Sequence, residues 1–435
     1  MTQRLSEVYR QADSNLLAGE LDRALAGFTA IIKTDGQQIW PRLKIGMVLE
    51  QQKDVNRACE VYKAVAWHCI KSGFPLMGLL CTKRASRLQG GSEETLGILA
   101  ELYGLESDRV VQDLPIPELP LPNPDLPVDV GSLTGEKISA LATQVARDFP
   151  DPRYPRELPA IPLFSLLTAE AFYPILEILD LKTFLPGEFI VKQGEPCDAI
   201  YMLAHGEVEV VEGLGGQDGR TLARLTSGAV FGEMALITDA PRLASARAVR
   251  ESEVLILRRE DLDAAAEDLD DLTWAMAKFT RQRFLQHVLL TTPVFAPFGA
   301  AERKEILERF TSVGVPTDEV VIQEGTPGPG LYIILGGEVE VSKFEGGTRV
   351  HLTRLAEGAV FGEISLIHDA PTTATVQAVR GGEFLFLSRE DFQTLVASRP
   401  AIRDSLRSLG EARLAEQSKA MQDAGLVSKD GSVIF

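Results

Sequence analysis

The chain has 435 residues, 45% of them hydrophobic and 24% charged, with a formal net charge of −18 and a pI near 4.9. That length allows two or three domains with separate cores, and the acidic balance repels phosphate backbones, which argues against nucleic-acid partners. No apolar run approaches the roughly 18 residues of a membrane span, Met1–Arg10 lacks the apolar core of a secretory leader, and Cys59, Cys69, Cys81 and Cys197 show no ligand spacing, so reduced thiols in a cytoplasmic protein are expected.

The first 112 residues read as helical hairpins. Leu5, Val8, Tyr9 and Ala12 fall at helical spacing, Gly19-Glu20 marks a turn, and Ala24, Leu25, Phe28 and Ile32 form a second apolar face. The arrangement returns 34 residues on, with Ala58 for Ala24, Tyr62 for Phe28 and Lys53-Asp54 for Gly19-Glu20. This period resembles the tetratricopeptide repeat. Pro41 opens the second repeat at a first-turn position, and a third, degenerate hairpin is expected around residues 74–104. Stacked hairpins expose a groove, so residues 1–112 are expected to recognise a protein partner, with a plain supporting bundle as the alternative. Lys83-Arg84-Ala85-Ser86 has the look of a basic-directed kinase site, but a solvated helix face explains it better.

Residues 113–160 form a linker. Six prolines between Pro115 and Pro127 favour an extended spacer, or a strap whose aliphatic residues lie along a neighbouring surface. A short helix is expected from a Thr134 N-cap to Arg147, followed by a second proline-rich segment, Pro150 to Pro162.

Two β-rich units follow, at 161–290 and 291–410, with a helix end and tail over 411–435. Short β-prone runs broken by glycine argue for a closed or nearly closed β structure. The unit is duplicated. Gly206-Glu207-Val208-Glu209-Val210 returns as Gly337-Glu338-Val339-Glu340-Val341, Phe231-Gly232-Glu233 as Phe361-Gly362-Glu363, and Arg259-Glu260-Asp261-Leu262 as Arg389-Glu390-Asp391-Phe392. The expected fold class is therefore α+β and multidomain: α-helical hairpin repeats, then two tandem double-stranded β-helix, jelly-roll-like domains with flanking helices.

The chemistry concentrates in Phe231–Ser245. A Gly-Glu turn, a short apolar helix and then Pro241-Arg242 can aim backbone N–H groups and a guanidinium at one anion. Position for position, this stretch resembles the phosphate-binding cassette of the cyclic nucleotide-binding domain family, which includes regulatory subunits of cAMP-dependent protein kinase and the bacterial catabolite activator. The resemblance implies that Gly232 and Glu233 hold the ribose 2′-hydroxyl, that Arg242 holds the cyclic phosphate, and that the N–H groups of Ala235 and Leu243 complete the cradle. Ala244 and Ser245 close the cassette, and Asp198 takes the place of the family's arginine-steadying aspartate. Leu243, lacking a hydroxyl for a guanine amino group, favours cAMP over cGMP. Trp274, Phe279 and Phe284 are candidates to cap the base. His205, His287, His351 and His368 are scattered, and no catalytic or metal constellation emerges from spacing.

In the second unit Gly362, Glu363, Ser365, Thr372 and Thr373 line up with a degenerate cassette. Thr372 stands where Arg242 stands and Pro329 where Asp198 stands, so both members of the expected ion pair are missing together. Weak binding or a structural role is expected there, with a threonine hydroxyl recovering part of the lost contact. The sequence reads as a non-enzymatic cyclic-nucleotide sensor, its helix from Asp261 to Leu290 carrying the signal to a protein partner. The alternative is a ligand-free scaffold or docking subunit.

Overall fold

The computed structural model describes residues 3–90, 93–112, 114–120, 122–132, 134–150, 154–196, 198–212, 220–232, 242, 244–267, 269–276, 278–279, 299, 302, 305–306, 309–345, 348–356, 358–398 and 400–423. The chain divides into two compact units, residues 1–280 and 281–435. Among the described residues no helix is long and apolar enough to cross a membrane.

The first unit opens with helical hairpins: α1 (Leu5–Leu17), α2 (Leu21–Thr34), α3 (Trp40–Gln51), α4 (Val55–Lys71), α5 (Pro75–Gln89) and α6 (Glu93–Tyr103). Their interlocking depends on small residues. A Cβ on Gly27 would lie 2.7 Å from that of Ala12, and one on Gly46 would strike the Tyr62 ring. The linker is a strap. Gln3–Arg4 (β1) pairs with Pro127–Val128 (β3), and the Leu5 N–H donates to the Leu126 carbonyl over 2.9 Å. A second bridge, parallel, joins Val110–Val111 (β2) to Leu158–Pro159 (β4).

Helix α7 (Glu136–Arg147) begins after Gly135 rather than at Thr134. Gly135, with φ near 58°, takes the N-cap position, and its N–H donates to Asp22 over 2.7 Å. α7 lies on α2, α3 and α4 and buries Ile138, Ala142 and Ala146. Arg42 fixes the end of α7: fully buried, its guanidinium donates to the carbonyls of Val145 and Ala146 over 2.7 and 2.9 Å. It thereby satisfies acceptors that a helix C-terminus leaves open.

Beyond helix α8 (Ala169–Ile178) comes the first roll, two antiparallel four-stranded sheets. Its strands are β5 (Asp180–Phe184), β6 (Phe189–Val191), β7 (Ala199–His205), β8 (Glu207–Glu212), β9 (Arg220–Thr226), β10 (Val230–Phe231), β11 (Ser245–Ala248) and β12 (Ser252–Arg258). Their orders are β5-β12-β7-β10 and β6-β11-β8-β9. Strand β7 is buried on both faces, which is why Ala199–Ala204 reads as a continuous apolar run. Tyr201 and Leu203 enter the roll's own core, while Ile200 and Met202 join the core of the helices. Helix α9 (Arg259–Glu267) follows, and helical backbone resumes at 270–276 and 278–279. Phe284, His287 and the rest of the expected helix to Leu290 lie outside the described residues.

The helices are joined to this roll by desolvated ion pairs. Lys44 on α3 bonds both oxygens of Glu251 over 2.6–2.7 Å, and Arg84 on α5 bonds Glu253, which is wholly buried, over 2.9 Å. Trp40 stacks on His205 with ring centroids 3.8 Å apart. Lys83 is buried and donates to the carbonyls of Leu176 and Glu177. The expectation of a solvated Lys83–Ser86 face is thus corrected: its cations serve an internal contact.

The second unit repeats the roll. Strands β13 (Thr311–Val315), β14 (Val320–Ile322), β15 (Gly330–Ile334), β16 (Glu338–Glu345), β17 (Thr348–Leu355), β18 (Val360–Phe361), β19 (Thr375–Arg380) and β20 (Gly382–Ser388) pair in the orders β13-β20-β15-β18 and β14-β19-β16-β17. Each maps onto its counterpart eight strands earlier. Helices Glu363–Ile367, Arg389–Ser398 and Pro400–Asp423 complete the unit.

Candidate ligand sites in the two rolls

Both rolls build the loop before their third strand in the same way. In the first, the Gly194 N–H donates to the Arg242 carbonyl and the Arg242 N–H to the Glu195 carbonyl, each over 2.9 Å. In the second, Gly325 donates to Thr372 and Thr372 to Thr326, again over 2.9 Å. The backbone of residue 242 or 372 is therefore pinned identically. A further pair of bonds ties each closing strand to this loop: Gln193 N–H to Ser245 Oγ over 2.9 Å and Glu324 N–H to Thr375 Oγ1 over 3.1 Å.

What differs is the side chain held there. Arg242 is only 7% exposed. Its Nη2 donates to the Ala199 carbonyl over 3.1 Å and lies 3.6 Å from Asp198 Oδ1. The guanidinium carbon sits 5.2 Å from the centroid of Tyr201, whose ring stacks on Phe231. Arg242 Nε is buried with no partner among the described residues. A buried donor without an acceptor is costly unless something else supplies one, so the position suits an incoming anion. Gly232 closes this corner in a left-handed turn, φ +77°; a Cβ there would lie 2.7 Å from Arg242 Nη1. Of the expected first-site residues, Gly232, Arg242, Ala244, Ser245 and Asp198 are described; Gly232 and Asp198 lie against Arg242, and Ser245 binds the same loop. Glu233, Ala235 and Leu243 lie outside the described residues.

In the second roll a cavity of about 270 Å³ is lined by Gly362, Glu363, Ser365, Thr372 and Thr373 together with apolar strand residues. Thr372 does not replace the guanidinium. Its Oγ1 donates toward the Gln323 carbonyl over 2.6 Å and accepts from the Thr326 N–H over 3.2 Å, so the hydroxyl belongs to the loop. Ser365 Oγ donates to the Gly362 carbonyl over 3.2 Å. Glu363, 1% exposed, accepts from Arg413 Nη1 over 2.8 Å. Arg413 also donates to the Val360 carbonyl. It comes from the last helix, and only its position on a helix following the roll hinted at a role.

Among the expected caps, Phe279 is buried in the helical core, whereas Trp274 is 49% exposed, with the Lys278 ammonium 4.5 Å above its ring. His205 is half-buried under the Trp40 ring, and burial and the nearby Arg250 and Lys44 push its pKa down to about 3. Among the described residues no group of three or more His, Cys, Asp or Glu could hold a metal ion.

Residues 181–268 and 313–399 match the family model of the cyclic nucleotide-binding domain. The chain is similar to cAMP-dependent protein kinase regulatory subunits of Yarrowia lipolytica, 29% identical over 61% of this chain and 63% of the relative, and of Blastocladiella emersonii, 29% identical over 50% and 52%. It thus spans roughly half to two thirds of these relatives' length. Among solved structures, the regulatory domain of Toxoplasma gondii PKA with cAMP is 22% identical, over 57% of this chain and 92% of that one, with a TM-score of 0.29. The duplicated strand order, the paired loops and the two matched segments agree: the chain carries two cyclic nucleotide-binding domains in tandem, over residues 181–268 and 313–399.

Proposed function

We propose that the chain is a cyclic-nucleotide sensor without enzymatic activity, in which the first roll binds cAMP in preference to cGMP and passes the signal to a protein partner. The observation that supports it is the Arg242 guanidinium: buried, flanked by Asp198, with Nε unmatched among the described residues, and replaced by Thr372 in the duplicate roll. A charge-assisted contact to a phosphate is worth roughly 1.5–3 kcal/mol, or about 10- to 150-fold in affinity. Leu243, next in sequence, has no hydroxyl of the kind that the resemblance to the family associates with a guanine amino group, hence the preference for adenine. The coupling route begins at Asp198. Its carbonyl accepts the Arg259 N–H over 2.8 Å, so the first turn of α9 is tied to the residue that flanks the guanidinium. A ligand that draws Arg242 and Asp198 into a new arrangement biases α9 with them.

The regulatory subunits to which the chain is similar make a protein kinase the favoured class of partner. The roll-facing side of α3 and α5 is committed to Glu251 and Glu253, so a partner of the helical module would use its outer faces. Calorimetric titration of the full chain with cAMP and cGMP tests the reading. One tight cAMP site per chain, weakened about 10- to 150-fold by Arg242→Ala, is expected. No binding by the unaltered chain would leave only the scaffold alternative. Hydrogen exchange over 259–267 tests the coupling: protection there should change on ligand addition.

A further inference from the structure

We propose that the cavity where the helices, the strap and the first roll meet is a site for a free α-amino acid with an apolar side chain. This cavity, of about 490 Å³, lies within the first unit and shares no residue with the Arg242 corner. Its wall comes from elements distant in sequence: one face of α1, the start of α3, strap residues Leu119, Pro120 and Pro122, and the roll at His205 and Arg250-Glu251. Binding there is independent of the cyclic-nucleotide reading.

One end offers an ammonium its acceptors. Leu5, Tyr9 and Asp13 stand four residues apart on α1 and so share a face. Buried Lys44 is committed to both oxygens of Glu251 over 2.6–2.7 Å, and Asp13 Oδ1 is left 3.4 Å from the same ammonium without a hydrogen bond. Two carboxylates thus share one cation, and Asp13 is the one short of donors. No described residue bonds the Tyr9 hydroxyl, which burial and the neighbouring Asp13 and Glu251 charges keep protonated by pushing its pKa well up. Trp40 borders the same end, its ring centroid 5.1 Å from Lys44 Nζ, and aromatic faces favour a cation.

The rim offers a carboxylate its donors. Arg10 and Arg250, both exposed, line the cavity, and among the described residues neither meets a carboxylate. Arg10 donates to the Ser6 carbonyl over 3.4 Å and Arg250 to the Gly206 carbonyl over 3.3 Å. Such forks suit a carboxylate, which can take two parallel bonds from one guanidinium. Glu118 of the strap, exposed and also without a cation among the described residues, belongs to the same lining. Charges of both signs therefore line one cavity without pairing across it. A bare anion or a bare cation would answer only half of them, whereas a zwitterion answers both.

The rest of the lining is apolar. Leu5, Leu119, Pro120, Pro122 and the Trp40 ring, stacked on His205 with centroids 3.8 Å apart, supply it. An apolar wall with a few placed polar groups is the usual make-up of a small-molecule site. The strap is anchored on either side of the cavity: β3 pairs with β1, and Ile116 sits on Gly228, where a Cβ would lie 2.7 Å from that of Ile116. Ammonium, carboxylate and apolar side chain are what an α-amino acid carries on one carbon.

The test titrates the full chain calorimetrically with L-phenylalanine and L-leucine, and with analogues of each that lack one charge. These are 3-phenylpropionate and phenethylamine for the first, 4-methylpentanoate and 3-methylbutylamine for the second. At least one of the two amino acids is expected to bind at one site per chain, about tenfold or more tighter than either of its analogues. Arg10→Gln and Arg250→Gln, both on exposed side chains, should each weaken it about tenfold while circular dichroism and melting temperature stay unchanged, so that loss of binding is separable from loss of fold. Asp13→Asn should weaken it by a similar factor. Absence of binding by both amino acids overturns the proposal. So does an analogue without the ammonium that binds as tightly as its parent, which would make this a site for a simple organic anion. Amino-acid binding that survives all three substitutions would place the ligand elsewhere and overturn it too. The first-site reading stands or falls separately, on whether cAMP binding by the unaltered chain depends on Arg242.

Discussion

Replacing Arg84 with methionine should destabilise the first unit by about 3–5 kcal/mol, the usual cost of leaving one member of a buried ion pair alone. Glu253 is wholly buried, and its two oxygens accept three bonds: Arg84 Nη2 at 2.9 Å and 3.1 Å, and Thr183 Oγ1 at 3.0 Å. Methionine retains much of the packed stem but removes the cation, so Glu253 keeps a single neutral donor in an apolar interface. The three tryptophans, Trp40, Trp67 and Trp274, all belong to the first unit, so their fluorescence during urea unfolding reports that unit alone. Adding Glu253→Gln should restore most of the loss, since a neutral amide beside methionine carries no stranded charge. A single-variant cost below about 1 kcal/mol, or a double variant no more stable than the single, would refute the claim that this pair joins the helices to the roll.

Two further outcomes follow from the same geometry. Gly232→Ala forces a left-handed backbone on a residue whose Cβ would press on Arg242 Nη1 and Tyr201; a loss of about 1–2 kcal/mol and at least a tenfold weaker cAMP titration are expected. For pH, His205 is pushed down to about 3, and burial with Arg42 nearby pushes His68 down to about 4. The unfolded chain binds these protons below about pH 6.5 while the native chain does not. Stability is therefore full above that pH and falls on acidification by about 1.4 kcal/mol per pH unit per histidine. Asp13, raised chiefly by burial, works in the opposite direction. Urea midpoints between about pH 7 and 5.5 read the slope, and His205→Phe, which keeps the stack on Trp40, should flatten it.

Local pattern carried the rolls. Glycine-broken β runs and the returning Gly-Glu-Val-Glu-Val and Phe-Gly-Glu segments, offset by 131 and 130 residues, were enough to show a closed β unit present twice, and to align Asp198 with Pro329 and Arg242 with Thr372. The helical hairpins were legible for the same reason, apolar spacing over short distances. What escaped was long-range. Lys44 meets Glu251 at a separation of 207 residues and Arg84 meets Glu253 at 169, and no periodicity relates such positions. Cations on a helix look solvated until a second element covers them, which is why Lys83 and Arg84 were misjudged. Arg413 was missed because its importance depends on where the last helix lies against Glu363. The partners of the Thr372 hydroxyl were not legible, because a sequence shows a hydroxyl but not which carbonyl it meets.

The central claim is that an anionic ring phosphate is held by Arg242 and by nothing in the second roll. A crystal structure of the full chain grown with cAMP addresses it directly. The account predicts cyclic phosphate within hydrogen-bond distance of the Arg242 guanidinium, with Arg413 still on Glu363 and no phosphate beside Thr372. Phosphate bound beside Arg413, or Arg242 still turned to Ala199 with no nucleotide against it, would contradict the account.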